Sequence, residues 1–151
     1  MKGDEIPDAN HVSRYCRYKT LTEEGLPGPQ SFSPRQIDSY LSVNWIEYLR
    51  CDTREESVDQ IRRVYRDKFK VKSSERISIV NVGEMKRKVY NGTIDHRNLR
   101  VRHEPENYVS KSSGKLSVDE SHSGVYNFKF DEDFISILIS QAVKREDVYP
   151  I

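Results

Sequence analysis

Thr53-Arg54-Glu55-Glu56-Ser57-Val58-Asp59-Gln60-Ile61-Arg62-Arg63-Val64-Tyr65-Arg66-Asp67-Lys68-Phe69, followed by Arg76-Ile77-Ser78-Ile79-Val80-Asn81-Val82, carries both periodicities from which a fold is read. In the first segment Thr53 with Glu56 three positions later makes a capping box. Val58, Ile61, Tyr65 and Phe69 recur at spacings of three and four, which predicts a helix with that face inward. In the second, aliphatic residues at 77, 79, 80 and 82 predict a central strand that Gly83 ends or bends.

Upstream, Leu41, Val43 and Trp45 alternate with polar residues, giving a strand that turns into a short helix through Arg50. His11 to Tyr18 favours another short strand. Residues 1–9 have no period and read as a loose start, and the prolines and glycines of residues 22–34 read as a loop. Downstream, Lys88-Val89-Tyr90 and Leu99-Arg100-Val101-Arg102 are short strand candidates around a turn at Asn91-Gly92. Residues 106–119 read as a loop, flexible at Ser110 to Lys115, and Val125 to Phe130 alternates as a strand. From Asp131 to Arg145 a final helix is expected, with Phe134, Ile135, Leu138, Ile139, Ala142 and Val143 on its buried stripe. Strands dispersed between two amphipathic helices predict a single α+β domain over residues 1–151, with a mixed, mainly antiparallel sheet.

The chain has 151 residues, of which 35% are hydrophobic and 32% charged, and its mean hydropathy is -0.80. That is polar for a globular protein, but nine Tyr, five Phe and one Trp can anchor a small core. There is no apolar run of the roughly 18 residues a membrane span needs, and the first residues lack a signal-peptide h-region. Cys16 and Cys51 are too few for a disulfide framework or a four-cysteine zinc site. The expectation is a cytoplasmic protein with no membrane partner. Cys16 reads as a small core residue, and the scattered glycines form no phosphate-binding or dinucleotide-binding motif. His103, Glu104, Asp119, Glu120 and His122 show no metal-ligand spacing, so neither metal nor cofactor is expected.

The net charge of +1 is a cancellation. Residues 62–102 hold 13 Lys or Arg against four acids, and the remainder 12 against 20. Such a block can gather phosphates, and Arg62, Arg63, Arg66, Lys70, Lys86, Arg87, Lys88, Arg100 and Arg102 are its nucleic-acid-binding candidates. The alternative is a solvated face neutralised by the acidic flanks.

Of the four histidines, His11, His103 and His122 lie in polar company, and Arg14 is close to the first. Two imidazoles and a guanidinium are what metal-independent phosphodiester cleavage needs: one to take a proton, one to give one, and a cation to hold the phosphate. His11-Val12-Ser13 fits the His-x-Ser/Thr pattern of two-histidine phosphoesterases. His122 is followed two positions later by Gly124, which disfavours that family. Asn44-Trp45 offers an amide and a ring suited to a base, though a single Trp is more often a core anchor.

The order of His11-Val12-Ser13-Arg14-Tyr15-Cys16, Tyr40-Leu41-Ser42-Val43-Asn44-Trp45-Ile46-Glu47-Tyr48, His103-Glu104-Pro105 and Ser121-His122-Ser123-Gly124-Val125-Tyr126 resembles a family of small bacterial single-domain proteins to which no activity is assigned. The resemblance implies a bacterial, intracellular origin and no chemistry. Two functions remain open. One is a nucleic-acid- or phosphate-linked accessory protein with a histidine-based phosphodiesterase or nucleotide-transfer site. The other is a non-catalytic module that docks an acidic protein partner, as antitoxins and subunits of defence or mobile-element systems do.

Overall fold

The computed structural model describes residues 2–151. Its elements run β1 (His11–Cys16), β2 (Leu41–Trp45), α1 (Arg54–Lys68), β3 (Arg76–Asn81), α2 (Val82–Gly92), β4 (Arg100–His103), β5 (Glu106–Val109), β6 (Leu116–Asp119), β7 (His122–Tyr126), α3 (Asp133–Ala142) and β8 (Val148–Pro150). Six strands form one antiparallel sheet in the order β4-β7-β2-β1-β3-β8, and β5 and β6 form a separate hairpin. The fold is α+β.

Strand alternation decides what each face of the sheet buries. Ile77 and Ile79 of β3, with Tyr15 and Ile46, pack under Val58, Ile61 and Tyr65 of α1. Val12, Leu41, Val43, Val80, Val101 and Val125 point to the other face, where α2 and α3 supply Met85, Val89, Ile135, Leu138 and Ile139. The sheet therefore lies between helices on both sides. As expected, α1 is opened by Thr53, whose side chain accepts the Glu56 N–H at 3.2 Å.

Several local expectations are overturned. Asn91-Gly92 turns no hairpin: residues 82–92 are helical, Gly83 lies inside that helix, and Lys88-Val89-Tyr90 is not a strand. The Asn81 side chain accepts the Glu84 N–H at 2.9 Å, and Val82, Met85 and Val89 form the buried stripe. Gly92 serves packing, since a Cβ there would stand 2.7 Å from Leu138 Cδ2. Residues 106–119, expected as loop, pair as β5 and β6 on either side of the Ser110 to Lys115 turn.

The strand expected over 125–130 starts earlier, at His122, and ends at Tyr126, because Asn127 takes φ 80. The first strand stops at Cys16, and a 3₁₀ turn follows at Tyr18–Thr20. Residues 2–9 are not loose: the Ile6 N–H donates to Val101 O at 2.9 Å and its side chain is buried. Within residues 22–34 a 3₁₀ turn, Pro29–Phe32, buries Phe32. Phe134 is 58% exposed, since Ile135, Leu138 and Ile139 form the stripe of α3 and Phe134 projects to one side of it. Among the described residues no helix is long and apolar enough to cross a membrane.

Candidate functional site

β1 is in register with β3 along all six of its residues but with β2 only at Val12↔Trp45 and Ser13↔Asn44. Where β1 and β2 part, a cleft of about 520 Å³ opens between the end of β1, the start of β2, the last turn of α1, and Glu106 and His122. Arg14 ties the parted strands together. Its Nε donates to Ser31 O at 2.8 Å and its Nη1 to Ser42 O at 2.9 Å. Both acceptors are neutral carbonyls, and no ion pair joins this part-buried guanidinium to a carboxylate among the described residues. Burial lowers its pKa from the usual value.

Directly opposite one another across β1, β2 and β7 stand Ser13, Asn44 and His122, three buried polar side chains in one row. Strand alternation turns them toward α1, and the β5–β6 hairpin closes over them with Glu106 and Asp119. Ser13 Oγ and Tyr65 Oη are 2.7 Å apart. Asn44 Nδ2 donates to both Asp119 oxygens at 2.9 Å and to Ser121 Oγ at 2.8 Å. Lys68 Nζ bridges Asp119 Oδ2 and Glu106 Oε1, each at 2.8 Å.

His122 differs from its neighbours in the row. Its Nδ1 lies 2.6 Å from Glu104 O, and a carbonyl only accepts, so Nδ1 carries the hydrogen. In the neutral ring Nε2 is then a bare acceptor. It is buried without a hydrogen-bond partner, 3.2 Å from Glu106 Oε2 but out of alignment with it. Burial holds the His122 pKa below the ordinary histidine value, so the ring is neutral near pH 7. A proton arriving at Nε2 would meet the carboxylates of Glu106 and Asp119, which favour the imidazolium, and Lys68, which opposes it.

The cleft brings together Arg14 and His122 and not His11 or His103. His11 Nδ1 is 2.7 Å from Glu47 Oε2, at the opposite end of β1 from the cleft. His103 is in register with Ser123, one residue on from His122, and alternation turns it to the other face of the sheet. There its Nε2 meets Glu120 O at 2.6 Å and its ring packs on Trp45 and Tyr48. A base and acid pair of two imidazoles is therefore not assembled. Trp45 Nε1 donates to Asn10 Oδ1 at 2.8 Å and its ring packs against the core, while Asn44 lines the cleft with its amide NH₂ already engaged. Burial pushes the Cys16 thiol pKa up, which leaves it a poor nucleophile.

The basic block does not form one patch. Arg62, Arg63 and Arg66 lie on α1, and Lys70 just after it. Lys86, Arg87 and Lys88 lie on α2, across the sheet, and Arg100 and Arg102 on edge strand β4. Several have partners: Arg62 with Asp59, Lys86 with Asp8, Arg100 with Glu5, and Arg66 donating to Ile151 O.

Sequence reasoning missed Lys68, Tyr65 and Glu106, and weighed Asp119 only as a metal ligand. Polar residues in an alternating strand read as solvent-facing, and only the cover on both sides of the sheet makes Ser13, Asn44 and His122 interior. The chain matches no family model, no curated protein and no solved structure.

Proposed function

We propose that the cleft binds a phosphate ester, such as a nucleotide or a terminal phosphate, with Arg14 holding the anion and His122 Nε2 accepting a proton from a hydroxyl or water beside it. The observation that carries this reading is the buried, unpartnered Nε2, its tautomer set by Glu104 O, in a cleft that also holds a guanidinium with no carboxylate partner. An orphaned acceptor and an unpaired cation each carry a desolvation cost that an anionic ligand with a protic group offsets. Of the cations that line the cleft, Arg35 is paired with Asp38 and Lys68 with Glu106 and Asp119, while Arg14 and Arg17 have no carboxylate ion pair among the described residues and supply the positive charge that suits phosphate. Tyr40 and Phe69 in its walls offer aromatic surface to a base.

With one imidazole in place, the chemistry supported is base-assisted attack, and the leaving group departs without a second histidine. The non-catalytic alternative rests on a different observation: Val109, Leu116 and Val118 are exposed on the β5–β6 hairpin, an apolar strip of the kind that meets a protein partner.

Calorimetric titration with nucleoside mono- and diphosphates and inorganic phosphate, together with a turnover assay on dinucleotides, tests the reading. Arg14→Gln should abolish binding. His122→Gln should keep binding and lower turnover by about 10²- to 10⁴-fold, the usual contribution of a general base. Absence of phosphate binding to the wild type rejects the proposal, and binding without turnover in the wild type rejects the base.

A further inference from the structure

The cleft continues into a second concavity of about 460 Å³ that shares Tyr15, Arg17, Thr20, Lys68 and Phe69 with it. Three separate segments build its rim. The turn after β1 brings Arg17 and Lys19, the loop after α1 brings Lys70 and Lys72, and the tip of the β5–β6 hairpin brings Lys111. All five cations are exposed, and none is in an ion pair among the described residues. Elsewhere Arg62, Lys86 and Arg100 have carboxylate partners.

One carboxylate, Glu75, lies in this wall, and it is buried and turned inward. It accepts from the Tyr15 hydroxyl, from the Lys72 N–H at 2.8 Å and from the Tyr18 N–H at 3.0 Å. The groove therefore presents a cluster of like charges, a positive potential that favours an arriving polyanion. Between the cations stand aromatic rings. Tyr18 is 58% exposed, and Phe69 stacks on Tyr15 at 4.9 Å with the Arg17 guanidinium within 6 Å of both.

We propose that this groove binds single-stranded nucleic acid, with phosphates along Lys19, Lys70, Lys72 and Lys111, bases against Tyr18 and Phe69, and one end of the strand delivered to Arg14 and His122. The delivery step rests on the reading of the cleft as a phosphate site. Cations interleaved with rings are the chemistry of single-strand binding, since the charge tracks the backbone and every base has a face to stack. A duplex keeps its bases stacked inside and offers these rings nothing, and a lipid surface is flat where this site is concave.

The test is fluorescence anisotropy with labelled 12-nucleotide oligo(U) and oligo(dT), a 12-base-pair duplex, and vesicles of anionic phospholipid, at 50 to 200 mM salt. The variant Lys19→Gln/Lys70→Gln/Lys72→Gln/Lys111→Gln should lose on the order of 10²-fold in single-strand affinity at 0.1 M salt. Its salt slope should fall by about 3, near 0.7 for each phosphate that no longer meets a lysine. Tyr18→Ala should weaken binding by roughly tenfold. Lys86→Gln/Arg87→Gln/Lys88→Gln, on the far side of the sheet, should bind as the wild type does, and circular dichroism checks that each variant is folded.

The proposal is overturned if the wild type binds no oligonucleotide, if the α2 variant loses as much as the groove variant, or if duplex or vesicles bind as tightly as the single strand. Mononucleotide titration on the same proteins separates the two readings. Mononucleotide binding that persists while oligonucleotide binding fails overturns the groove alone. Groove-dependent oligonucleotide binding without mononucleotide binding supports the groove and overturns the cleft.

Discussion

The two faces of the central sheet are built from the same strands and differ in what they bury. Under α2 and α3 the interior is mainly apolar, with Val12, Leu41, Val43, Val80, Val101 and Val125 beneath Met85, Val89, Leu138 and Ile139, and with Ser78, Ser123 and His103 as buried polar side chains among them. Under α1 the interior is apolar over β3 and at Tyr15 of β1; across β1, β2 and β7 runs the row Ser13, Asn44, His122 with Lys68, Glu106 and Asp119 above it. Hydrophobic burial accounts for the first face. The second keeps a buried ion pair and an orphaned nitrogen, groups whose desolvation offsets much of what their interactions contribute to stability.

The largest effect is expected from breaking the charged network. Lys68 and Asp119 have side-chain exposures of 6% and 1%. Lys68→Met leaves Asp119 buried without its cation, and denaturant unfolding should show a loss of about 3 to 5 kcal/mol. Adding Asp119→Leu and Glu106→Gln to Lys68→Met should recover most of that loss, and no recovery would mean that the network is itself a main support of the fold.

Next comes the aliphatic face. Leu138 fills the space that Gly92 leaves open between α2 and α3, so Leu138→Ala should cost about 3 kcal/mol through reduced burial and a cavity. An unchanged melting temperature would show that this face is not the main core.

A smaller effect sharpens the contrast. His122→Leu removes the orphaned Nε2 at the expense of one hydrogen bond to Glu104 O, and stability at pH 7.5 should change by no more than about 1 kcal/mol. The pH dependence has a definite sign. The folded pKa of His122 lies below its unfolded value, so the unfolded chain takes up the proton first. Stability is fully present above the ordinary histidine value and is lost as pH falls from there toward the folded one. Melting curves between pH 7.5 and 5 should show that loss in the wild type and a reduced one in His122→Leu.

The smallest global effect is expected at the cover of the polar face. The Asp67 carboxylate accepts from Ser110 Oγ and Tyr108 Oη at 2.7 Å and from Ser112 Oγ at 2.8 Å, bonds that hold its pKa well below the usual carboxylate range. The same bond raises the Tyr108 hydroxyl, already lifted by burial, to about 12. Asp67→Asn should leave the melting temperature near that of the wild type and speed amide exchange in residues 106–119. Exchange no faster than in the wild type would show that Lys68, not Asp67, closes the hairpin.

Sequence alone determined the elements whose signal is local. Thr53 and Glu56 with the apolar stripe of α1, the alternation of β3, and Ile135, Leu138 and Ile139 of α3 all fold as their spacing predicts, because a capping bond or a repeating apolar face acts within a few residues. Tertiary structure decided what depends on distant partners. Asn91-Gly92 reads as a turn until α3 puts Leu138 against the glycine. Residues 106–119 read as a loop until Asp67 collects their hydroxyls. Arg14 and His122, 108 positions apart in the chain, were both singled out from sequence, but only the parting of β1 from β2 places them in one cleft while strand alternation sends His103 to the other face. The groove lysines, at positions 19, 70, 72 and 111, belong to no single run of charge. They meet because three connections end at the same corner of the sheet, and charge density on a surface is a property of the fold, not of the order of residues.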